Sequence, residues 1–299
     1  IWLVLLALLL LPATVSADEY IGGIPLSTVE SGTVSGGVFI DAYPGFATDA
    51  TKTFTLPAGA GVRWARLYVV VYCGNMRENY DGKVTVAIDG GGAGKREYTE
   101  NLNLPYSFPG EGGTGPVALN DHCTRVTSDY LMWYDVASLL SSGTLKVHAR
   151  TAKVSSSFDG RIKAIVLVAA YDDGDGDTVY YRVNAGHDTD SYEADDAGKP
   201  YVGETEFSTS EMEDGFETAS LSVLYLASVD AEYRFNGDSL DGSRPCGAYF
   251  GKNTWDVGDS LQPGRDAGLT YDRLETETFY KIFGAVLSVR YAEEEAGSI

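Results

Sequence analysis

The stretch Trp133-Tyr134-Asp135-Val136-Ala137-Ser138-Leu139-Leu140-Ser141-Ser142-Gly143-Thr144-Leu145-Lys146-Val147 decides the fold, because the chain carries it twice. Its second form is Trp255-Asp256-Val257-Gly258-Asp259-Ser260-Leu261-Gln262-Pro263-Gly264. Both share Asp-Val, a Leu five residues after the Asp and a Gly eight after it. Each leads into an apolar run ending in Tyr, Ile165 to Tyr171 and Ala285 to Tyr291. The Asp-to-Tyr spacing is 36 residues in one copy and 35 in the other. Self-similarity at that scale points to two related units in tandem.

Composition agrees with strands. The chain has 299 residues, with 20 Tyr, 35 Gly and only 3 Met, a mix that favours strands and turns over helices. Period-two alternation marks Gly32 to Ile40 and Thr51 to Leu56, and the β-branched and aromatic run Val62 to Tyr72 marks a central strand. A further strand, Lys83 to Ile88, ends in the Asp89-Gly90 turn, answered later by Phe235-Asn236-Gly237. No capped stretch of helical period stands out. The expected fold is all-β: two tandem β-sandwiches of jelly-roll type.

The division expected along the chain is as follows. Residues 1–17 read as a secretory leader: an apolar run from Ile1 to Leu11, Pro12, and small residues at Val15-Ser16-Ala17. The run is shorter than the roughly 18–20 apolar residues of a membrane span, and no such span is expected in the mature chain. Residues 18–185 form the first sandwich, with a Gly/Pro-rich insertion over 91–127 that reads as irregular loops. Residues 186–203 form an acidic linker, and 204–299 the second, more compact sandwich. Export and an extracellular or cell-surface setting are the functional expectations that follow.

Charge narrows the partners. Lys and Arg number 22 against 43 Asp and Glu, a formal charge of -21. Nucleic acid and anionic membranes need clustered cations and are not expected partners. Cys73, Cys123 and Cys246 fit an oxidising compartment, with Cys73–Cys123 one plausible disulfide among three pairings.

Several ordered motifs carry a resemblance. Asp135-Val136 through Gly143-Thr144-Leu145 looks like the strand-edge signature of jelly-roll modules in the galactose-binding-like class. Ser31 to Val38, Trp64-Ala65-Arg66-Leu67-Tyr68, Trp133-Tyr134-Asp135-Val136, Asp159-Gly160-Arg161-Ile162 and Tyr181 to Gly186 resemble, in order, the domain-of-unknown-function family 3344. Arg182 and Ala185 depart from its pattern, where an aromatic and an acid are usual. The resemblance implies an exported, envelope-associated protein, found largely in methanogenic archaea, and supplies no catalytic residues.

Two candidate chemistries emerge from the residues themselves. Asp173, Asp175 and Asp177, alternating with Gly after Asp172, could wrap a calcium ion as the first half of a calcium loop does. The twelfth position is Asn184 rather than Glu, and a plain hairpin turn explains the same residues. Tyr98, Tyr106 and Phe108 in the insertion could stack on a glycan, or simply pack on the sandwich edge. No nucleophile elbow, zinc-protease helix or phosphate loop is present. The favoured function is therefore a non-enzymatic envelope or surface protein acting in assembly or adhesion, through self-association or other envelope proteins. The alternatives are a carbohydrate-binding module recognising surface glycans and a glycan-acting hydrolase.

Overall fold

The computed structural model describes residues 24–74, 81–102, 117–120, 128–154, 157–191, 198, 201–226, 231–242, 245–247, 249–277 and 279–293. The expected leader, Tyr106, Phe108 and Cys123 lie outside them, so the Cys73–Cys123 pairing does too; Cys73 itself is buried.

Among the described residues the chain forms β1 (Ile24–Val34), β2 (Gly37–Ala47), β3 (Asp49–Thr55), β4 (Gly61–Gly74) and β5 (Gly82–Asp89). Next come β6 (Lys95–Leu102), β7 (Val117–Asn120), β8 (Ser128–Asp135), β9 (Thr144–Lys153) and β10 (Ile162–Asp172). Then follow β11 (Thr178–Ser191), β12 (Gly203–Phe207), β13 (Thr218–Leu226), β14 (Ala231–Phe235) and β15 (Asp238–Leu240). The last are β16 (Pro245–Gly247), β17 (Phe250–Asp256), β18 (Ala267–Arg273) and β19 (Phe279–Tyr291). The chain is all-β, as its alternation indicates.

Four sheets result, ordered β3-β9-β5-β6, β2-β10-β4-β8-β7, β1-β11-β19-β13-β17-β16 and β12-β18-β14-β15. Adding nine to each strand of the first two sheets gives the order of the last two, with β1 as an extra edge strand. The two Asp-Val stretches sit at matching places. Val136 N–H donates to Ala65 on β4, and Val257 N–H to Ala219 on β13. A short 3-10 turn follows each, and the glycine eight residues after each Asp has φ near +71° (Gly143) and +79° (Gly264). A side chain is strained in that left-handed region, which gives the repeated glycine its reason.

The sheets stack in four layers around three cores. Phe54, Val86, Val147 and Leu167 belong to the first sandwich's core, and Phe207, Tyr233, Leu269 and Leu287 to the second's. A third core joins the two inner sheets: Val70, Leu131, Val166 and Val168 meet Val183, Leu224, Phe250 and Phe283. This explains β10, where nine consecutive residues from Ile162 are buried. Ile165, Leu167 and Ala169 face the first core, while Ala164, Val166, Val168 and Ala170 face the seam. A continuous apolar run is what a strand buried on both faces requires.

The expected division shifts in three places. β1 belongs to the second inner sheet, pairing with β11 rather than with the strands of residues 18–185. Residues 186–191, expected in the linker, continue β11, with His187, Asp188, Thr189 and Asp190 buried in the fold. The expected irregular insertion begins as a hairpin: β6 pairs with β5 over eight residues, and β7 later adds to β8.

Candidate functional site

The seam between the inner sheets carries both the most enclosed charges and an open cleft. A bulge in β10, between Ile162 and Ala164, turns Lys163 into the seam. From the facing sheet Lys281 enters on β19, and both reach Asp129 at the start of β8. Lys163 Nζ lies 2.7 Å from Asp129 Oδ1, and Lys281 Nζ 2.7 Å from Oδ2. Asp129 and Lys281 are fully buried and Lys163 nearly so. Burial alone would raise the Asp129 pKa, but Lys163 and Lys281 override it and hold the carboxyl at about 2. Burial lowers the Lys163 pKa, with Asp129 opposing. Thus one carboxylate bridges the two sandwiches.

His187, enclosed beside this bridge on a bulge of β11, is pushed down to about 3 by burial, with Asp129 opposing. Its folded pKa is below its unfolded value of 6.5. Between those limits the unfolded chain binds the extra proton, so stability from this group is complete above pH 6.5 and is lost as pH falls towards 3. Chemical denaturation across that range should show a slope of ~1.4 kcal/mol per pH unit from His187, absent in His187→Gln. The Asp129 contribution is lost later, as pH falls from about 3.8 towards 2.

The neighbouring residue, Asp188, points the other way, into the second sandwich. Its Oδ2 accepts from Tyr201 at 2.6 Å and Tyr271 at 2.7 Å, and its Oδ1 from the Thr189 N–H. Burial raises its pKa against these donors. Asn184 is similarly enclosed, donating to Thr205 Oγ1 and the Glu206 carbonyl. These polar groups close on one another.

Further along the seam the sheets part into a cleft of about 290 Å³. Arg66 and Tyr68 of β4 and Leu131 and Trp133 of β8 form one wall; Ile24 and Val29 of β1 with Ala185 and Gly186 of β11 form the other. β4 and β8 place Tyr68 opposite Trp133 and Arg66 opposite Asp135. Arg66 Nε donates to Asp135 Oδ1 at 3.1 Å. Gly186 is needed for β1 to lie close, since a Cβ there would come within 2.4 Å of the Ile24 carbonyl oxygen.

The residues singled out from sequence lie elsewhere. Asp173, Asp175 and Asp177 share the β10–β11 loop, but their oxygens serve the loop itself. The Asp175 N–H donates to Asp173, the Asp177 N–H to Asp175, and Arg290 pairs with Asp177. Asp172 pairs with Arg63. Among the described residues no group of three or more His, Cys, Asp or Glu is placed to hold a metal ion. Tyr98 lies on β6, not in a loop, stacked on Tyr134 at 4.6 Å between centroids. Asp129, Lys163, Lys281 and Tyr68 are not among the residues whose pattern in the sequence points to a site. The available signal was a lysine interrupting each apolar run, in Ile162-Lys163-Ala164 and Tyr280-Lys281-Ile282.

The sequence matches the family described as "Protein of unknown function (DUF3344)" over residues 19–290. The chain belongs to DUF3344. No curated protein matches it. Among solved structures, one similar chain is PNGase F, a glycosylasparaginase from Flavobacterium meningosepticum. It is 12% identical, with a TM-score of 0.26, covering 87% of this chain and 96% of that one. Another is a cupin 2 conserved barrel domain protein from Leptotrichia buccalis, 8% identical at TM-score 0.25, covering 87% and 89%. Likenesses that low carry no inference about this DUF3344 chain. No helix among its described residues is long and apolar enough to cross a membrane.

Proposed function

We propose that this DUF3344 chain is a non-enzymatic, exported surface protein that acts in assembly or adhesion, its two sandwiches working as one rigid body. The observation that supports this reading is the seam. Its charged groups are enclosed and committed to one another, Asp129 to two lysines, so they serve to join the sheets rather than to meet a substrate. A rigid stack of four layers suits a protein that presents surfaces to neighbours.

The charge of -21 sets the condition for assembly: like-charged copies approach only when screened. Light scattering on residues 18–299 should therefore show mass rising with ionic strength and protein concentration. Retention on cell-envelope preparations should accompany it. A monomer at every salt concentration that is not retained on envelopes would contradict the reading, and so would turnover of a glycan.

A further inference from the structure

We propose that copies of this chain stack head to tail, the outer face of the sheet β3-β9-β5-β6 of one copy lying on the outer face of β12-β18-β14-β15 of the next. This rests on the assembly role proposed above and supplies its partner and its two contact faces. These sheets are the first and last of the four layers, so each turns one face to a core and the other outward.

The first observation is where the uncommitted cations lie. Among the described residues, every Lys and Arg makes an ion pair or a side-chain hydrogen bond except Lys83, Lys146, Arg150 and Lys153. All four are exposed and sit on the neighbouring strands β5 and β9. Val147 and Ala149 of β9 and Val84 and Val86 of β5 face the core, so the alternation turns Lys146, Arg150 and Lys83 outward. The side chains across the ladder are small: Thr85 stands opposite Arg150, and Ala152 opposite Lys83. In a chain of net charge -21, cations gathered unpaired on one face are open to an acidic partner.

The second observation is the opposite outer face. Glu204 and Glu206 of β12 and Glu232 of β14 are exposed there, on the side away from Phe207 and Tyr233 of the core. Glu204 and Glu206 are in no ion pair among the described residues. Glu232 stands directly opposite Asp272 of β18. Like charges opposed on a ladder destabilise it, and a cation from outside relieves the pair. Arg234 answers Glu232 at 3.9 Å, with both side chains more than half exposed.

Opposite charges at opposite ends make a heterologous contact, which adds copies in a line rather than closing a pair. An acidic polymer would use the first face alone; a second copy uses both. The smaller face has four strands and its edge strand β12 five residues, so it spans ~20 Å by ~17 Å. That is well under the ~800 Å² per partner of a stable complex, so the contact is weak and grows with concentration. Moderate salt screens whole bodies beyond the Debye length of ~8–10 Å and touching pairs much less. Association therefore rises with ionic strength although the contact is charged.

The test is sedimentation velocity of residues 18–299 over a range of concentrations at moderate salt. Lys83→Glu with Lys146→Glu and Arg150→Glu should weaken association at least about tenfold, and so should Glu204→Lys with Glu206→Lys and Glu232→Lys. The second set makes the chain less negative, so an association governed by net charge would strengthen instead. Neither variant should associate alone where the parent does. Mixing the two, so that each altered face meets its complement, should restore the parent's behaviour. All six positions are exposed, and melting temperatures should stay near the parent's. Association indifferent to both sets, or variants that do not recover on mixing, overturns the pairing and keeps the surface role. A parent that is monomeric throughout and is not retained on envelopes removes both. A monomeric parent retained on hyaluronate through Lys146 and Arg150 also overturns the pairing, since an acidic polymer then occupies the first face.

Discussion

Asp129→Ala is expected to destabilise the chain by ~3–5 kcal/mol, because it leaves two enclosed lysines without their shared carboxylate. The melting temperature should fall on the order of 10 °C for a protein of this size. The loss reflects stranded charge more than the worth of the bridge itself. Replacing all three groups together, as Asp129→Leu with Lys163→Met and Lys281→Met, should accordingly recover most of it, or exceed the parent, since apolar packing often matches a buried ion pair. Denaturant midpoints of the parent, the single and the triple substitution decide the matter. A single substitution costing under about 1 kcal/mol would mean that water reaches the lysines and that the seam is not closed there.

Phe283→Ala should cost a similar ~3–5 kcal/mol, through loss of burial and the cavity left behind. Phe283 is fully buried at the seam, with its ring centroid 5.8 Å from Tyr68 and 6.3 Å from Phe250. It therefore touches both sandwiches. A cavity there should loosen the join as well as the second sandwich, so the unfolding of the two halves should begin to separate. Phe54→Ala, confined to the first core, should lower stability by a comparable amount while the transition stays single. Denaturation followed by two probes, one in each sandwich, distinguishes these results. Coincident curves for Phe283→Ala together with a small loss of stability would deny the seam its energetic role.

The fold was legible because its signals are local. Strand alternation, the Asp89-Gly90 and Asn236-Gly237 turns and the paired Asp-Val stretches can each be read from a few neighbouring residues. The glycines at 143 and 264 even announce their backbone conformation. Less legible was anything that depends on what lies across a sheet. The nine-residue buried run of β10 signals burial on both faces, but the sheet it faces is assembled from strands spread between Ile24 and Tyr291. The bulge that aims Lys163 inward exists only once β10 pairs with β4. Asp129 carries no local mark at all.

Polar composition misled for the same reason. His187, Asp188 and Asp190 look like a solvated linker in one dimension, yet each is buried in the fold. Conversely, the Asp-Gly alternation of residues 173–177 resembles a cation loop but is explained by turn chemistry, each carboxylate receiving a nearby backbone N–H or an arginine. The cleft in the seam arises from the same long-range geometry: its lining residues Tyr68 and Trp133 are strand residues in sequence, and only the parting of the two inner sheets forms it.

The seam makes the two sandwiches into one body. Differential scanning calorimetry of residues 18–299 at neutral pH tests it most directly. One transition is expected, with calorimetric and van't Hoff enthalpies that agree, as all-or-none unfolding requires. Two resolved transitions, or a van't Hoff enthalpy near half the calorimetric value, would contradict it and return the chain to two independent sandwiches.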